Sequence, residues 1–302
     1  MKIHYFTYQQ IDKEKWDNCV LNSCNHLVYV ESWYLDIVTQ KNWSALILND
    51  YEAVMPLPLK SKFHLTYVQQ PIWTQQLGVF FKTPNQNDLV ANFIHEIPKK
   101  LRLVSINLNE YNFSEKIKLK LKTNLTLNLN TSFDKIQVLF SDNTKRNIKK
   151  AFQNNLTIDF GSKDVENFIQ YFKQNVPKPI SRFHYIALSK IISHSISSDK
   201  GFIVLVKYKN IVVAAAFILR SEHRLIYRIG ISNKTGKDLK AMFFLIEKLI
   251  KKYVNSTILF DFEGSELVGV SRFYKSFGAS NTPYFYYKQY NSKLLQLIKK
   301  RK

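Results

Sequence analysis

Short apolar runs with β-branched and aromatic residues alternate with charged turns along most of the chain. Between Phe202 and Ser265 the stretches FIVLVKY, IVVAAAFIL, HRLIYRIGIS and TILFDFEGS each have the length and composition of a strand. The third is followed by NKTGKD, read as a loop over Asn233–Asp238. A helix is then expected from Lys237 to Tyr253. Its apolar positions Leu239, Met242, Phe243, Ile246, Leu249, Ile250 and Tyr253 recur with the 3.6-residue period of one buried face.

The first half repeats this order. WSALILND and YEAVMPLPL pair as strand–turn–strand, and HLTYVQQPI follows where RLIYRIGIS follows in the second half. KSKFHLTYVQQPI and RSEHRLIYRIGI both pass from a charged turn into a β-branched and aromatic run, as a hairpin requires. The expectation is an internal duplication in which residues 30–80 and 202–240 form equivalent sheets. Pro56 and Pro58 mark their strand as an edge or bulged strand, since proline donates nothing to a ladder. Around this core the pattern places a first strand IHYFTY, short helices at Trp16 and Trp33–Val38, a helix from Asp88 to Ile97 and a strand LRLVSINLN. Glu115–Asn130 alternates and fits either strand or helix. A second domain is read from 132 to 302 after a first from 1 to 131. It opens with a helix capped at Asp142, Asn143 or Thr144, whose stripe is Ile148, Ala151 and Phe152. Helices over Val165–Gln174 and Phe183–Ser193, and a basic amphipathic terminal stretch SKLLQLIKKRK, complete the pattern.

Composition changes this picture in one respect. The 302 residues carry a net charge of +21, distributed unevenly. Residues 1–130 hold 14 Lys+Arg against 11 Asp+Glu, and residues 131–302 hold 30 against 12, a net of +3 against +18. Seven of the eight arginines lie in that second part. The field suits an anionic partner: tRNA, a nucleotide-linked substrate, coenzyme A or an anionic membrane surface contacted peripherally. Solvated lysines of a Lys- and Asn-rich chain account for part of the charge equally well. The longest apolar run, Ile211 to Leu219, falls far short of the roughly 20 residues of a membrane span. Residues 2–18 lack the apolar segment of a secretory signal, so the expected compartment is the cytoplasm. Cys19 and Cys24, with His26 nearby, are too few ligands for a zinc site, and no metal is expected. Hydrolase readings have no support, because neither a Gly-x-Ser-x-Gly elbow nor a His-Glu-x-x-His motif occurs.

The order strand, strand, strand, loop, helix, strand, helix, strand resembles the GNAT acyltransferase fold. Two strings narrow the resemblance. NTKRNIKKAFQNNLTI at 143–158 is similar to the helix that opens the second domain of FemABX-like proteins. FEGSELVGVSRFYKSFGA at 262–279 is similar to their Gly-x-x-Arg-Phe-Lys-x-x-Phe-Gly segment. The resemblance implies an α/β (α+β) chain of two tandem GNAT-like domains, with mixed central sheets flanked by helices. It implies transfer of an acyl or aminoacyl group to an amine. Characterised members take amino acids from aminoacyl-tRNA to cell-wall precursors. An acyl-CoA-dependent acetyltransferase acting on a small amine, and a catalytically silent binding protein of the same fold, are the alternatives.

Such a reaction needs a deprotonated amine, a polarised carbonyl and cations for the donor's phosphates. Asp261 and Glu263 sit at the end of a strand beside the presumed cleft and are the candidate catalytic carboxylates, facing one side of an extended strand. An ion pair with Arg228 or Arg272 is their structural alternative. Lys234, Gly236 and Lys237 are the candidate donor-binding residues. The loop has one glycine where GNAT members carry two, so side-chain charge replaces a tight N–H cradle. Arg272 and Lys275, at i and i+3, could grip one anion together, with Arg146 and Arg228 in support; solvated helix faces explain such pairs equally well. His184, in SRFHY, is a further residue that could line the site or simply rest at the surface.

Overall fold

The structure is a computed structural model that describes residues 2–83, 88–264 and 267–291. Contacts divide the chain into a first unit of residues 1–122 with 283–302 and a second unit of 123–282.

In the first unit β1 (Ile3–Phe6) is followed by α1 (Lys13–Leu21), α2 (Ser32–Thr39), β2 (Trp43–Leu48), β3 (Ala53–Lys62) and β4 (Leu65–Gln69). A short β5 (Phe80–Phe81), α3 (Leu89–His95), β6 (Leu103–Leu108) and β7 (Lys120–Lys122) come next. Trp16 and Trp43 meet edge-on at 4.9 Å in its core, and the Trp16 indole donates to the Val30 carbonyl. β3 is not an edge strand. It pairs with β2 on one side, and on the other with β5 at Ala53–Val54 and β4 at Leu59–Lys62. Pro56 and Pro58 fall between those two pairings, where no second ladder needs a donor.

The second unit begins with β8 (Leu125–Asn128), then α4 (Phe133–Val138), α5 (Asp142–Gln153), β9 (Thr157–Ser162), α6 (Val165–Asn175) and α7 (Arg182–Ser197). The hairpin strands β10 (Gly201–Tyr208), β11 (Ile211–Arg220) and β12 (Arg224–Ser232) follow. Next come α8 (Lys234–Asp238), α9 (Ala241–Tyr253), β13 (Leu259–Asp261), α10 (Val268–Lys275) and β14 (Ser280–Asn281). α5 is capped by Ser141, one residue before the expected candidates, its hydroxyl accepting from the Thr144 N–H. β11 is an unbroken apolar run because it is buried on both faces. Ala214, Ala216 and Ile218 join the cluster that includes Ile148, Ala151, Phe244, Leu245, Leu249 and Phe277. The fully buried positions of α9 are Ala241, Phe244, Leu245, Ile246, Glu247, Leu249 and Ile250, so its stripe is rotated toward Phe244 and Leu245 relative to the expected Met242 and Phe243.

The final strand, β15 (Tyr284–Tyr290), returns to the first unit and pairs with β6 and β7. The first sheet runs β1-β2-β3-β4-β6-β15-β7, and the second, read from its other end, β9-β10-β11-β12-β13-β8-β14. The two match position by position. The β4–β6 and β12–β13 pairs are parallel, and the others along these two orders are antiparallel. The duplication is therefore one of sheet topology, and each copy sends its last strand to the other sheet. For this reason Leu125–Asn128, which a boundary at 131 leaves in the first half, belongs to the second unit, and β15 belongs to the first. The expected terminal helix SKLLQLIKKRK, and Ser265 and Glu266 of the family-like segment, lie outside the described residues. Among the described residues no helix is long and apolar enough to cross a membrane.

Candidate functional site

β12 pairs with β11 along its length but with β13 only at Arg224↔Leu259, Leu225↔Phe260 and Ile226↔Asp261. From Tyr227 to Ser232 no β13 residue lies beside it, so the parallel pair opens into a fork. At the mouth of the fork β12 carries a bulge. Phe217 faces Ile229 and Ile218 faces Tyr227, which leaves Arg228 as the extra residue. A bulge breaks the ladder locally and re-aims a side chain.

Four charged side chains collect there. Arg224 donates to the Asp261 carboxylate at 2.7 Å, and Asp261 is only 2% exposed. The other Asp261 oxygen accepts the Glu263 N–H at 2.8 Å. Glu263 has left the strand, with a φ of 50°, and its carboxylate is ion-paired with Arg228. Asp261 and Glu263 thus do not face one side of a continuous strand. Glu263 lies past the end of β13, and each carboxylate takes a different arginine. Phe262 between them goes into the core.

Tyr274, on α10, stacks on Phe262 with ring centroids 4.9 Å apart. Burial pushes its phenol pKa well above the usual tyrosine range. The Glu263 carboxylate adds to the rise and the Arg228 guanidinium opposes it. Tyr227 lies edge-on to Tyr274 at 6.0 Å, and burial raises its phenol pKa well above the usual range too, with Tyr274 a smaller cause. Its hydroxyl rests against the backbone of exposed Gly230, where any side chain would collide with it, and has no hydrogen-bond partner among the described residues.

The segment expected to be a loop is the five-residue turn of helix α8. Its cap is Asn233, whose side chain accepts the Gly236 N–H at 2.8 Å and whose own N–H donates to the Tyr171 hydroxyl at 3.1 Å. Gly236 is buried, and a Cβ there would overlap the Val213 carbonyl and the Ser232 hydroxyl. The glycine answers to close packing of the turn on β11, and its amide is committed to the cap. Lys234 and Lys237 are exposed. The long helix begins only at Ala241, after a left-handed residue at Lys240. Tyr171 also walls a cleft of about 470 Å³ lined by Asp159, Asn167, Leu205, Lys207 and Val212.

The structure thus brings together Asp261, Glu263 and Arg228, and sets Lys234, Gly236 and Lys237 just past the end of β12. Arg272 and Lys275 are exposed on α10 and Arg146 on α5, with no ion-pair partner among the described residues. The ends of these two helices are tied by the Thr144–Ser276 hydroxyl bond at 2.7 Å. His184 stands apart in the first turn of α7, its ring nitrogen 2.9 Å from the Ser181 hydroxyl. Sequence reasoning did not single out Arg224, Tyr227 or Tyr274. Tyr274 had a signal: it stands in RFYKSFG where the family segment has lysine. Arg224 had none, because its pairing depends on the register of β12 against β13.

No family model matches the sequence, and no curated protein does so. Solved structures do match. FemX superposes with a TM-score of 0.68 at 13% identity, over 99% of this chain and 100% of its own. This chain has the FemABX-like fold, two tandem GNAT-like units. A conserved protein of unknown function from Bacteroides thetaiotaomicron gives 0.61 at 8% identity, over 95% and 99% of the two chains. L-PGS from Bacillus licheniformis gives 0.53 at 12% identity, over 95% of each. At such identities the likeness is one of fold.

Proposed function

We propose that the chain is an N-acyltransferase whose second unit carries the reaction at the fork between β12 and β13. The observation that carries this reading is the gathering of Glu263, Arg228 and Tyr274 where the parallel pair parts. The β12 edge from Tyr227 to Ser232 has no β13 residue beside it there. An extended acyl donor laid along that edge could have its carbonyl polarised by strand N–H groups. The acceptor amine attacks the carbonyl carbon and gives its proton to Glu263. The bond to the carrier breaks, the leaving oxygen or sulfur takes the proton of Tyr274, and the proton held by Glu263 returns to the phenolate. Burial keeps that phenol protonated at neutral pH, so it is a donor throughout the working range. Asp261 has one oxygen on Arg224 and the other on the Glu263 amide, so it acts as a positioning residue.

The donor's phosphates would meet Lys234 and Lys237 as point charges, because the Gly236 amide is already used. This favours a donor carried on a large polyanion, aminoacyl-tRNA, over coenzyme A, with a cell-wall precursor as acceptor. FemX and L-PGS share the fold, which supports the transferase class. The test pairs calorimetry with transfer assays. Acetyl-CoA should bind weakly or undetectably, and charged tRNA should serve as donor. Micromolar binding of acetyl-CoA, about −8 kcal/mol, would promote the acyl-CoA alternative. No binding of either would favour a silent binding protein. In the active case Tyr274→Phe and Glu263→Gln should each lower kcat by roughly 100-fold. The wild-type rate should not fall as pH rises through about 10, where an ordinary tyrosine ionises, because the Tyr274 pKa is raised.

A further inference from the structure

α4 ends in two aliphatic side chains that the fold leaves in water. Val138 is 75% exposed and Leu139 is 58% exposed. They do not sit on a loose loop. The Ser141 N–H donates to the Ser276 carbonyl at 2.9 Å, the Thr144 hydroxyl bonds that of Ser276, and Leu139 packs its Cβ over Gly278. The turn between α4 and α5 is thereby pinned to the end of α10, with Val138 held outward.

Cations surround this tip. Lys145 reaches back to the Val138 carbonyl at 3.5 Å, and exposed Arg146 and Lys275 follow from α5 and α10. Asp134 and Asp142 are the carboxylates on the same segment, and both open helices, where their charge also answers the helix dipole. α10 adds Val268, 72% exposed, at its other end, with Arg272 exposed between.

We propose that this tip seats the second unit on an anionic lipid bilayer. Val138 and Leu139 enter the boundary between headgroups and acyl chains, and Lys145, Arg146 and Lys275 meet lipid phosphates. Charge alone would suit any polyanion, but a nucleic-acid backbone gives exposed aliphatic groups nothing to bury against, whereas a bilayer does. A second copy of the chain would set cations against cations. The proposal is independent of the acyl-transfer reading, since it concerns neither the fork nor its residues.

The test is cosedimentation of the full chain with phosphatidylcholine vesicles, with and without phosphatidylglycerol, across a salt series. Binding is expected only with phosphatidylglycerol, and part of it should persist at high salt. Lys145→Glu should weaken low-salt binding on the order of twenty-fold, since each basic residue near an anionic surface is worth about five-fold. Val138→Asp should remove the salt-resistant part, on the order of ten-fold. Both positions are exposed, and thermal melts should match wild type; Val138→Ser serves as the milder variant if Val138→Asp does not fold. No binding to phosphatidylglycerol vesicles overturns the proposal. So does binding that survives both substitutions, which would place the contact elsewhere on the chain. Loss of uncharged-tRNA binding in Lys145→Glu without any vesicle binding would assign the face to RNA instead.

Discussion

The Tyr227 hydroxyl is the residue-scale oddity of the second unit. A buried phenol with no partner among the described residues forfeits its bonds to water, a cost of about 1–3 kcal/mol. Its ring belongs to the aromatic floor with Phe260, Phe262 and Tyr274, and phenylalanine would keep that packing. Tyr227→Phe should therefore be as stable as wild type or more stable, by on the order of 1 kcal/mol in chemical denaturation. A loss of stability would show that the hydroxyl has a partner in solution. Should the variant gain stability while transfer slows, the hydroxyl belongs to the reaction, since groups kept at a cost to stability concentrate at working sites. None of this could be read from HRLIYRIGIS. The sequence shows an aromatic in a strand, and only the bulge at Arg228 turns it against Gly230.

Among the elements, strands and long helices were legible because each repeats one physical demand over several residues. FIVLVKY, IVVAAAFIL and the helix before Tyr253 announce themselves by period and branching. The NKTGKD turn did not. Gly236 was read with Lys234 and Lys237 as a donor-binding residue, whereas it serves the packing of α8 on β11 through the Val213 carbonyl, a contact made across distant sequence. Gly236→Ala makes the difference measurable. With backbone on one side and the capped turn on the other, the added methyl forces a shift, and the variant should lose about 1–3 kcal/mol in thermal or denaturant melts. A substitution that left stability intact but abolished donor binding would instead make Gly236 part of the donor site. The carboxylates show the same limit. Asp261 and Glu263 were identified as a pair from their spacing, but the left-handed backbone at Glu263 and the Arg224 partner depend on tertiary register.

At the scale of the whole molecule, the duplication was visible as two copies of one strand order, and the exchange of last strands was not. Sequence order places Leu125–Asn128 after the first copy and Tyr284–Tyr290 after the second, and nothing local says that each leaves for the other sheet. The exchange predicts that a chain ending at Thr282 keeps its second sheet but not its first. β15 lies between β6 and β7, and its loss removes the bonds that Leu103–Leu108 make to it. Hydrogen exchange on that truncation should show β6 unprotected while β10 to β12 stay protected. Equal protection in both sheets would mean that the first unit closes without its borrowed strand. The exchange also sets a schedule for synthesis. The first unit emerges from the ribosome before the second but cannot finish its sheet until β15 is made. At about 5–20 residues per second, that is a wait of roughly ten to thirty seconds. During it the edge of β6 is an open template for any neighbouring nascent chain. The time needed to make the second copy is thus the interval of exposure for the first.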